Sequence, residues 1–147
     1  LVNLFHQLHS EEIAGYLFSF NPEPGTEMEN VERAPIHRFR RIQFVKYLIE
    51  EHDLDQKAIE FDEEGSVTYL HAPDVIVETS FDSGVPFMTG GCPDREGDLA
   101  CNRPYGSYRP GEEYRDYPFK PNNEDLIIIR NQIKLEDIWQ NLSQPVV

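Results

Sequence analysis

The sequence predicts an α/β protein in which two strands flank a long amphipathic helix. The apolar and aromatic run Ile13–Phe20 is typical of a strand buried on both faces, and Asp74–Thr79 contains a second run of β-branched residues. Between them, apolar residues recur at helical spacing from Pro35 to Glu51. The basic residues expected mostly outside this apolar stripe are Arg38, Arg40, Arg41 and Lys46. We therefore expect the two strands to pair in parallel across the helix.

Shorter elements complete this architecture. Leu1–Leu8 has the spacing of an amphipathic helix, and Ala58–Asp62 and Ser66–Leu70 predict a hairpin around a glycine-containing turn. A closing helix is expected over Leu126–Trp139, after the acidic, N-cap-like segment Asn122–Asp125. The stretch 90–121 holds few aliphatic residues and many Gly, Pro, Tyr and Arg, which favours a loop that covers a site. The predicted parts are thus 1–89, the loop 90–121, and a helix and tail over 122–147.

The charge and hydropathy of the chain exclude several classes of function. The 27 acidic and 13 basic side chains give a formal net charge of −14, which disfavours binding to nucleic acid. No apolar run approaches the roughly 20 residues that span a bilayer, and no signal peptide opens the sequence. We expect a cytoplasmic protein that does not bind a membrane or nucleic acid.

Two cysteines are the strongest candidates for chemistry. Cys92 and Cys101 lie in a loop framed by glycines and prolines and close to arginines, an environment that favours the thiolate and metal binding. An iron–sulfur cubane usually needs about four ligands, so the pair can hold only part of one. The C-x8-C spacing makes a zinc site a weaker interpretation. Buried structural cysteines, or a disulfide in an oxidising compartment, remain the alternatives.

Four arginines are concentrated in the same loop: Arg95, Arg103, Arg109 and Arg115. A guanidinium pairs bidentately with carboxylate or phosphate, so these residues predict recognition of an anion. The alternative is pairing with the acidic residues of the loop itself. The tyrosines of the loop and the five histidines of the chain are interpreted as structural.

Three segments resemble a known enzyme family. Phe18–Met28 contains a P-x-P-G-T-x-M pattern and is similar to the strand-end segment of biotin synthase-like radical S-adenosylmethionine (SAM) enzymes. Pro86–Pro93 and Cys101–Tyr105 resemble the C-terminal region of the archaeal-type, two-component lipoyl synthases. The similar segments together span Phe18–Pro118, which is most of the chain.

This resemblance implies a fold and a reaction. The fold is the C-terminal part of a (β/α) TIM-type barrel, with a Gly/Pro/Tyr/Arg-rich extension and a closing helix. The activity is insertion of sulfur into an unactivated carbon, with SAM and a [4Fe-4S] cluster as cofactors. The C-x3-C-x2-C loop that binds the SAM-cleaving cluster in this family is absent from the sequence. Together with the start at Leu1 inside a predicted helix, this absence favours a fragment over a degenerate homologue.

The resemblance also implies site residues and partners. Cys92 and Cys101 are the expected metal ligands of an auxiliary cluster, and the expected cofactor-binding residues are Pro24, Gly25, Thr26, Arg103 and Arg109. Pro22–Thr26 and Thr89–Cys92 should converge on one face, because loops after strands line the active face of such barrels. The implied substrate is a small molecule or an octanoylated lipoyl domain, and a second radical SAM subunit is an implied partner. A non-catalytic module that grips a protein with its Tyr/Arg loop is the competing hypothesis.

Overall fold

Helices dominate the part of the chain that the structure describes. The structure is a computed structural model that describes residues 1–89, 92–93, 95–96, 99–101 and 116–140, with the backbone alone for 92–93 and 99–101. The elements are α1 (Val2–Ser10), α2 (Ile36–His52), β1 (Ile59–Phe61), β2 (Val67–Leu70), α3 (Asp74–Ser83), β3 (Cys92–Pro93), β4 (Leu99–Cys101), α4 (Asn123–Ile133) and α5 (Leu135–Ile138). None of the described helices has the length and apolar character needed to cross a membrane.

Helix α2 forms the centre of the core and confirms the helix predicted over Pro35–Glu51. Pro35 is its N-cap, and the helix ends at Asp53 in the left-handed conformation. Helices α1 and α4 both pack on α2, and Val85–Phe87 forms a short 3₁₀ turn against it. Three aromatic rings meet here, with centroids 6.2 Å apart for Phe44 and Phe87 and 5.5 Å apart for Phe81 and Phe87. Aromatic contacts at such distances add to the stabilisation from apolar burial.

Two of the arginines expected outside the apolar stripe of α2 are buried instead. Arg40 is fully buried and Arg41 nearly so. The Nε atom of Arg41 donates to the Ile133 carbonyl and its Nη1 atom donates to the Val67 carbonyl, each at 3.0 Å. The prediction was wrong because the aliphatic stem of an arginine packs like an apolar side chain when its guanidinium finds acceptors. The two arginines therefore tie α2 to α4 and β2.

The predicted strand Asp74–Thr79 is wrong, since these residues form the first part of α3. Pro73 precedes the helix, Asp74 lies in its first turn, and Gly84 ends it at φ +70°. The buried residues Val77, Ser80 and Phe81 follow helical spacing, so one helix face packs on the core. Burial of this face and the terminal signals outweigh the modest strand preference of the β-branched residues.

The segment Ile13–Phe20 is extended but forms no strand ladder with the described residues. Its burial alternates with period two, since Gly15, Leu17 and Ser19 are half-buried while Tyr16 and Phe18 are about half exposed. The prediction of a strand buried on both faces is therefore wrong. A Cβ at Gly15 would stand 3.3 Å from Leu8 Cδ1, so this glycine permits the segment to lie close to α1.

The hairpin and the closing helix are found where they were predicted, with one break. Strands β1 and β2 pair antiparallel around a turn in which Gly65 has φ +75°. Helix α4 begins at a capping box, in which Asn122 accepts from the Asp125 amide at 2.9 Å. The predicted single helix Leu126–Trp139 is divided at Lys134, which adopts φ +52° and lets α5 begin in a new direction.

The two sheets formed by the described residues each have two antiparallel strands. The parallel contact among these residues is the isolated bridge between Met88 and Tyr117. Neither a parallel pair of the two predicted long strands nor a closed antiparallel sandwich is formed by them. The TIM-type barrel thus stays a prediction.

Candidate functional site

The cysteine pair lies on a short two-stranded ladder. Strand β3 pairs antiparallel with β4, and the register places the Cα atoms of Cys92 and Cys101 opposite each other. Directly opposite residues in antiparallel strands have Cα atoms roughly 4.5–5.5 Å apart, and such positions share one face of the ladder. Two cysteines separated by eight residues in sequence are therefore neighbours in space.

The cysteine ladder is attached to the core through Thr89. The Thr89 amide donates to the Tyr117 carbonyl at 2.9 Å, and the Tyr117 amide donates to the Phe87 carbonyl at 3.0 Å. Cys92 follows Thr89 by three residues, so its backbone lies within about 11 Å of this fixed point. The cysteine pair is consequently held near the end of the 3₁₀ turn Val85–Phe87 that packs on α2.

The segment Pro24–Thr26 forms an exposed turn with its own internal hydrogen bonds. The Gly25 amide donates to Glu29 Oε2, and the Thr26 hydroxyl donates to the Glu23 carbonyl, each at 2.8 Å. Gly25 has φ +82°, and no atom stands within 4 Å of the position that its Cβ would take. The turn is thus open to close approach from solvent, and a ligand that approaches Gly25 would meet an amide already bonded to Glu29.

The predicted convergence of Pro22–Thr26 with Thr89–Cys92 is not decided by the described residues. Thr89 lines the groove described below, whereas none of Pro24, Gly25 and Thr26 does. Gly90 and Gly91 lie outside the described residues. Arg103, Arg109 and Arg115 also lie outside them, and Arg95 is exposed.

A groove of about 590 Å³ runs between the extended segment Ile13–Phe18 and the core. Its volume is within the range of roughly 300–1,000 Å³ that is typical of ligand sites. The opposite wall comes from α2 and from the chain around Val85–Thr89, and Asp116 contributes to the lining. The sequence analysis did not predict this groove.

A buried polar network reaches the groove through Gln43 and Asp116. Arg40 donates to Gln43 Oε1 from Nη1 at 2.6 Å and to Gln132 Oε1 from Nε at 2.8 Å. The amide nitrogen of Gln43 donates to Asp116 Oδ1. The guanidinium of Arg40 is thereby linked through one side chain to a carboxylate that lines the groove. Networks of this kind are rigid when their members are satisfied.

The charged side chains that line the groove are mostly acidic. The described residues that line it include four carboxylates and one lysine: Glu12, Glu50, Glu51, Asp116 and Lys46. Lys46 forms an ion pair with Glu50, so one of the acidic groups is compensated within the groove. Glu12 and Glu51 are exposed and would attract a cationic ligand, which differs from the anion recognition predicted for the arginine-rich loop.

Two of the histidines that the sequence analysis interpreted as structural have polar partners in the structure. His9 Nε2 lies 2.9 Å from Asp53 Oδ1, and His52 Nε2 lies 3.1 Å from the Ser80 hydroxyl. Within the described ranges, no three His, Cys, Asp or Glu side chains are grouped in a way that could hold a metal ion. The side chains of both cysteines fall outside that statement, because only their backbone is described.

Gln43 and Asp116 could not have been chosen from the sequence. Gln43 lies within the helical pattern of α2, and Asp116 lies in a run of acidic and aromatic residues next to three other charged positions. Knowledge that Arg40 is buried would have pointed to Gln43 and Asp116, since a buried guanidinium requires hydrogen-bond acceptors. That burial depends on the packing of α4 on α2.

No protein-family model matches the chain, and no curated protein or solved structure matches it significantly.

Proposed function

We propose that the chain is the C-terminal portion of a cytoplasmic radical SAM enzyme of the biotin synthase-like group, in which Cys92 and Cys101 hold part of an auxiliary iron–sulfur cluster. The observation that supports this proposal best is the cross-strand register of the two cysteines. The resemblance of Phe18–Met28, Pro86–Pro93 and Cys101–Tyr105 to this family supplies the reaction class. The (β/α) barrel is part of the same proposal.

The register fits a shared metal cluster. Opposite positions on an antiparallel ladder bring Cβ atoms to roughly 4.5–5.5 Å, so two thiolates can reach one iron or adjacent irons of a cluster. The chain contains these two cysteines and no others. The remaining ligands would have to be other side chains, a second polypeptide or substrate.

A cluster bound at this pair would supply the sulfur that is transferred to an unactivated carbon. The chain's own residues would position it. The hydrogen bond from the Thr89 amide to the Tyr117 carbonyl and the one from the Tyr117 amide to the Phe87 carbonyl hold the backbone that leads to Cys92. Arg103 and Arg109 are proposed to pair with the anionic groups of SAM or substrate, and the turn Pro24–Thr26 is proposed to contact SAM. An octanoylated lipoyl domain or a small molecule is the proposed substrate, with a second radical SAM subunit as partner.

Iron binding tests the role of the cysteines. In the intact enzyme, anaerobic reconstitution with Fe²⁺ and sulfide should load the auxiliary cluster as well as the cluster that cleaves SAM. Cys92→Ala and Cys101→Ala should each lower the iron and inorganic sulfide contents by the share of the auxiliary cluster, because one thiolate holds a cluster poorly. The control is Val75→Ala, at an exposed position on α3. Iron and sulfide contents equal to the control in both cysteine variants would refute the ligand assignment.

A second measurement separates the auxiliary cluster from the one that cleaves SAM. In the intact enzyme, each cysteine variant should stop sulfur transfer while 5′-deoxyadenosine is still released from SAM. Loss of both products together would assign the cysteines to the folding of the enzyme or to SAM cleavage instead.

A protein-binding module is the second candidate function. The observation that favours it is the row of exposed apolar side chains on Ile13–Phe20, because exposed apolar patches often mark interaction sites. Both functions can reside in one chain, since the cysteine pair and this segment use different residues.

A further inference from the structure

The segment Ile13–Phe20 is extended, yet part of its main chain lacks hydrogen-bond partners among the described residues. Its ends are anchored, since the Ile13 amide donates to the Leu8 carbonyl at 2.9 Å and the Phe20 carbonyl accepts from Arg33 Nε at 3.2 Å. Between them, the main chain from Ala14 to Leu17 makes no hydrogen bond within the described part of the chain. Backbone groups of a folded protein normally find partners, and an open strand edge pairs readily with another strand.

The side chains of the segment have the period-two pattern of a strand. Gly15 and Leu17 face inward and are half-buried, whereas Tyr16 is 51% exposed. Ile13 and Phe18 are also about half exposed. A strand added beside this segment would cover the exposed side chains through cross-strand contacts and would complete the main-chain hydrogen bonds.

The groove of about 590 Å³ lies directly along this edge, because Ile13, Ala14, Gly15, Tyr16 and Leu17 all line it. Its opposite wall includes the exposed Glu51, and the exposed Glu12 stands at the start of the edge. An extended chain placed in the groove would therefore have main-chain partners on one side and carboxylates close to it.

We propose that Ala14–Leu17 is an acceptor edge for an added β-strand, and that its occupant is an extended segment of a different polypeptide with basic residues beside its apolar centre. The acidic lining of the groove supplies the charge complementarity. A second copy of the chain is disfavoured as occupant, since each copy has a net charge of −14 and the two would repel. The proposal is independent of the cysteine pair, so iron content does not test it.

A synthetic strand provides the probe. It is a fluorescein-labelled nine-residue peptide of alternating valine and threonine with two lysines at each end, and its binding is followed by fluorescence anisotropy at 50 mM salt. We expect saturable binding that weakens at least tenfold when alternate amides are N-methylated. Replacing the lysines with glutamates should have a similar effect, and so should raising the salt to 0.5 M.

Matched variants of the chain locate the binding. The double variant Glu12→Gln/Glu51→Gln removes two groove carboxylates and should weaken binding at least fivefold. Glu63→Gln/Glu64→Gln removes two carboxylates from the β1–β2 turn, outside the groove lining, and should bind like the wild type. Tyr16→Pro should also weaken binding, since proline removes an amide donor while remaining compatible with an extended backbone. Thermal melting checks that all variants are folded.

Three outcomes would overturn the proposal. The first is the absence of saturable binding at peptide concentrations up to 1 mM. The second is equal affinity for the N-methylated peptide, or equal effects of the two glutamate double variants. The third is a dimer at the same protein concentration that Tyr16→Pro converts to a monomer, which would make a second copy the occupant.

Discussion

At the scale of the single residue, Gly84 meets two constraints at once. It has φ +70° at the end of α3, and a Cβ there would stand 2.8 Å from Pro121 Cδ. Gly84→Ala should therefore lower the free energy of unfolding by about 1–3 kcal/mol for the backbone, with a further loss from the contact with Pro121. Urea unfolding followed by circular dichroism measures the effect.

Gly65→Ala is the matched control for Gly84→Ala. Gly65 also has positive φ, at +75°, but the nearest side-chain atom to its Cβ position is Arg38 Nη2 at 3.9 Å. This variant should show the backbone penalty alone. Equal losses for the two variants would mean that Pro121 moves aside without cost.

The buried arginines show where residue-level prediction from sequence fails. The helical pattern of α2 correctly gave the apolar face, including Phe44 and Leu48. The pattern assigned Arg40 and Arg41 to solvent, because a helical period records polarity and not the presence of acceptors. The carbonyls of Val67 and Ile133, which make burial of Arg41 favourable, come from 26 and 92 residues away in sequence. Only the tertiary fold brings them together.

At the scale of the element, the start of α4 has a testable cap. Asn122 accepts from the Asp125 amide, and Asp125 Oδ2 accepts from the Asn122 amide at 3.1 Å. Asn122→Ala should lower the free energy of unfolding by about 1 kcal/mol, because the amide near the helix start loses its acceptor. Asn123→Ala, one residue further and inside the first turn, should change stability by no more than about 0.5 kcal/mol. Chemical unfolding distinguishes the two variants.

Element prediction from sequence succeeded where terminal signals agreed with the internal pattern. Helix α2 and the β1–β2 hairpin had both, and the structure has them at the expected positions. Helix α3 was mistaken for a strand because its first residues are β-branched, although Pro73 and Gly84 bracket it as a helix. The division of the closing helix at Lys134 had no glycine or proline to indicate it.

At the scale of the whole molecule, two histidines couple stability to pH. Burial lowers the pKa of His6 below its ordinary value of 6.5, and burial together with Arg41 lowers that of His37. The unfolded chain then binds more protons than the folded one just below pH 6.5. The free energy of unfolding should therefore fall as the pH decreases from about 7 through the lowered pKa values.

Urea unfolding between pH 7.5 and pH 5.5 measures this dependence. His6→Gln/His37→Gln should lose less stability than the wild type over this range, because neither side chain can then take up a proton. Identical pH dependence in the double variant and the wild type would show that the two histidines are not its source.

The candidate site was predictable only in part, because some of its features are local in sequence and others depend on residues far apart in the chain. Local sequence was sufficient to single out Cys92 and Cys101, since framing by Gly and Pro and nearby arginines are short-range features. Their alignment across a ladder follows from the strand register. The acidic groove needs residues from α2, from the segment before it and from Asp116, so no local pattern could predict it.

The contacts of Arg41 have a consequence for biosynthesis. Two of its hydrogen-bond acceptors are the carbonyls of Ile133 and Lys134, which are synthesised 92 and 93 residues after Arg41. At roughly 5–20 residues per second, the ribosome needs about 5–20 s to supply them. During that interval the Arg41 guanidinium on α2 lacks the two carbonyl acceptors that it has in the folded protein. The part of the core that α4 completes around α2 can therefore form only after α4 has left the ribosome, later than the contacts of α2 with α1 and α3.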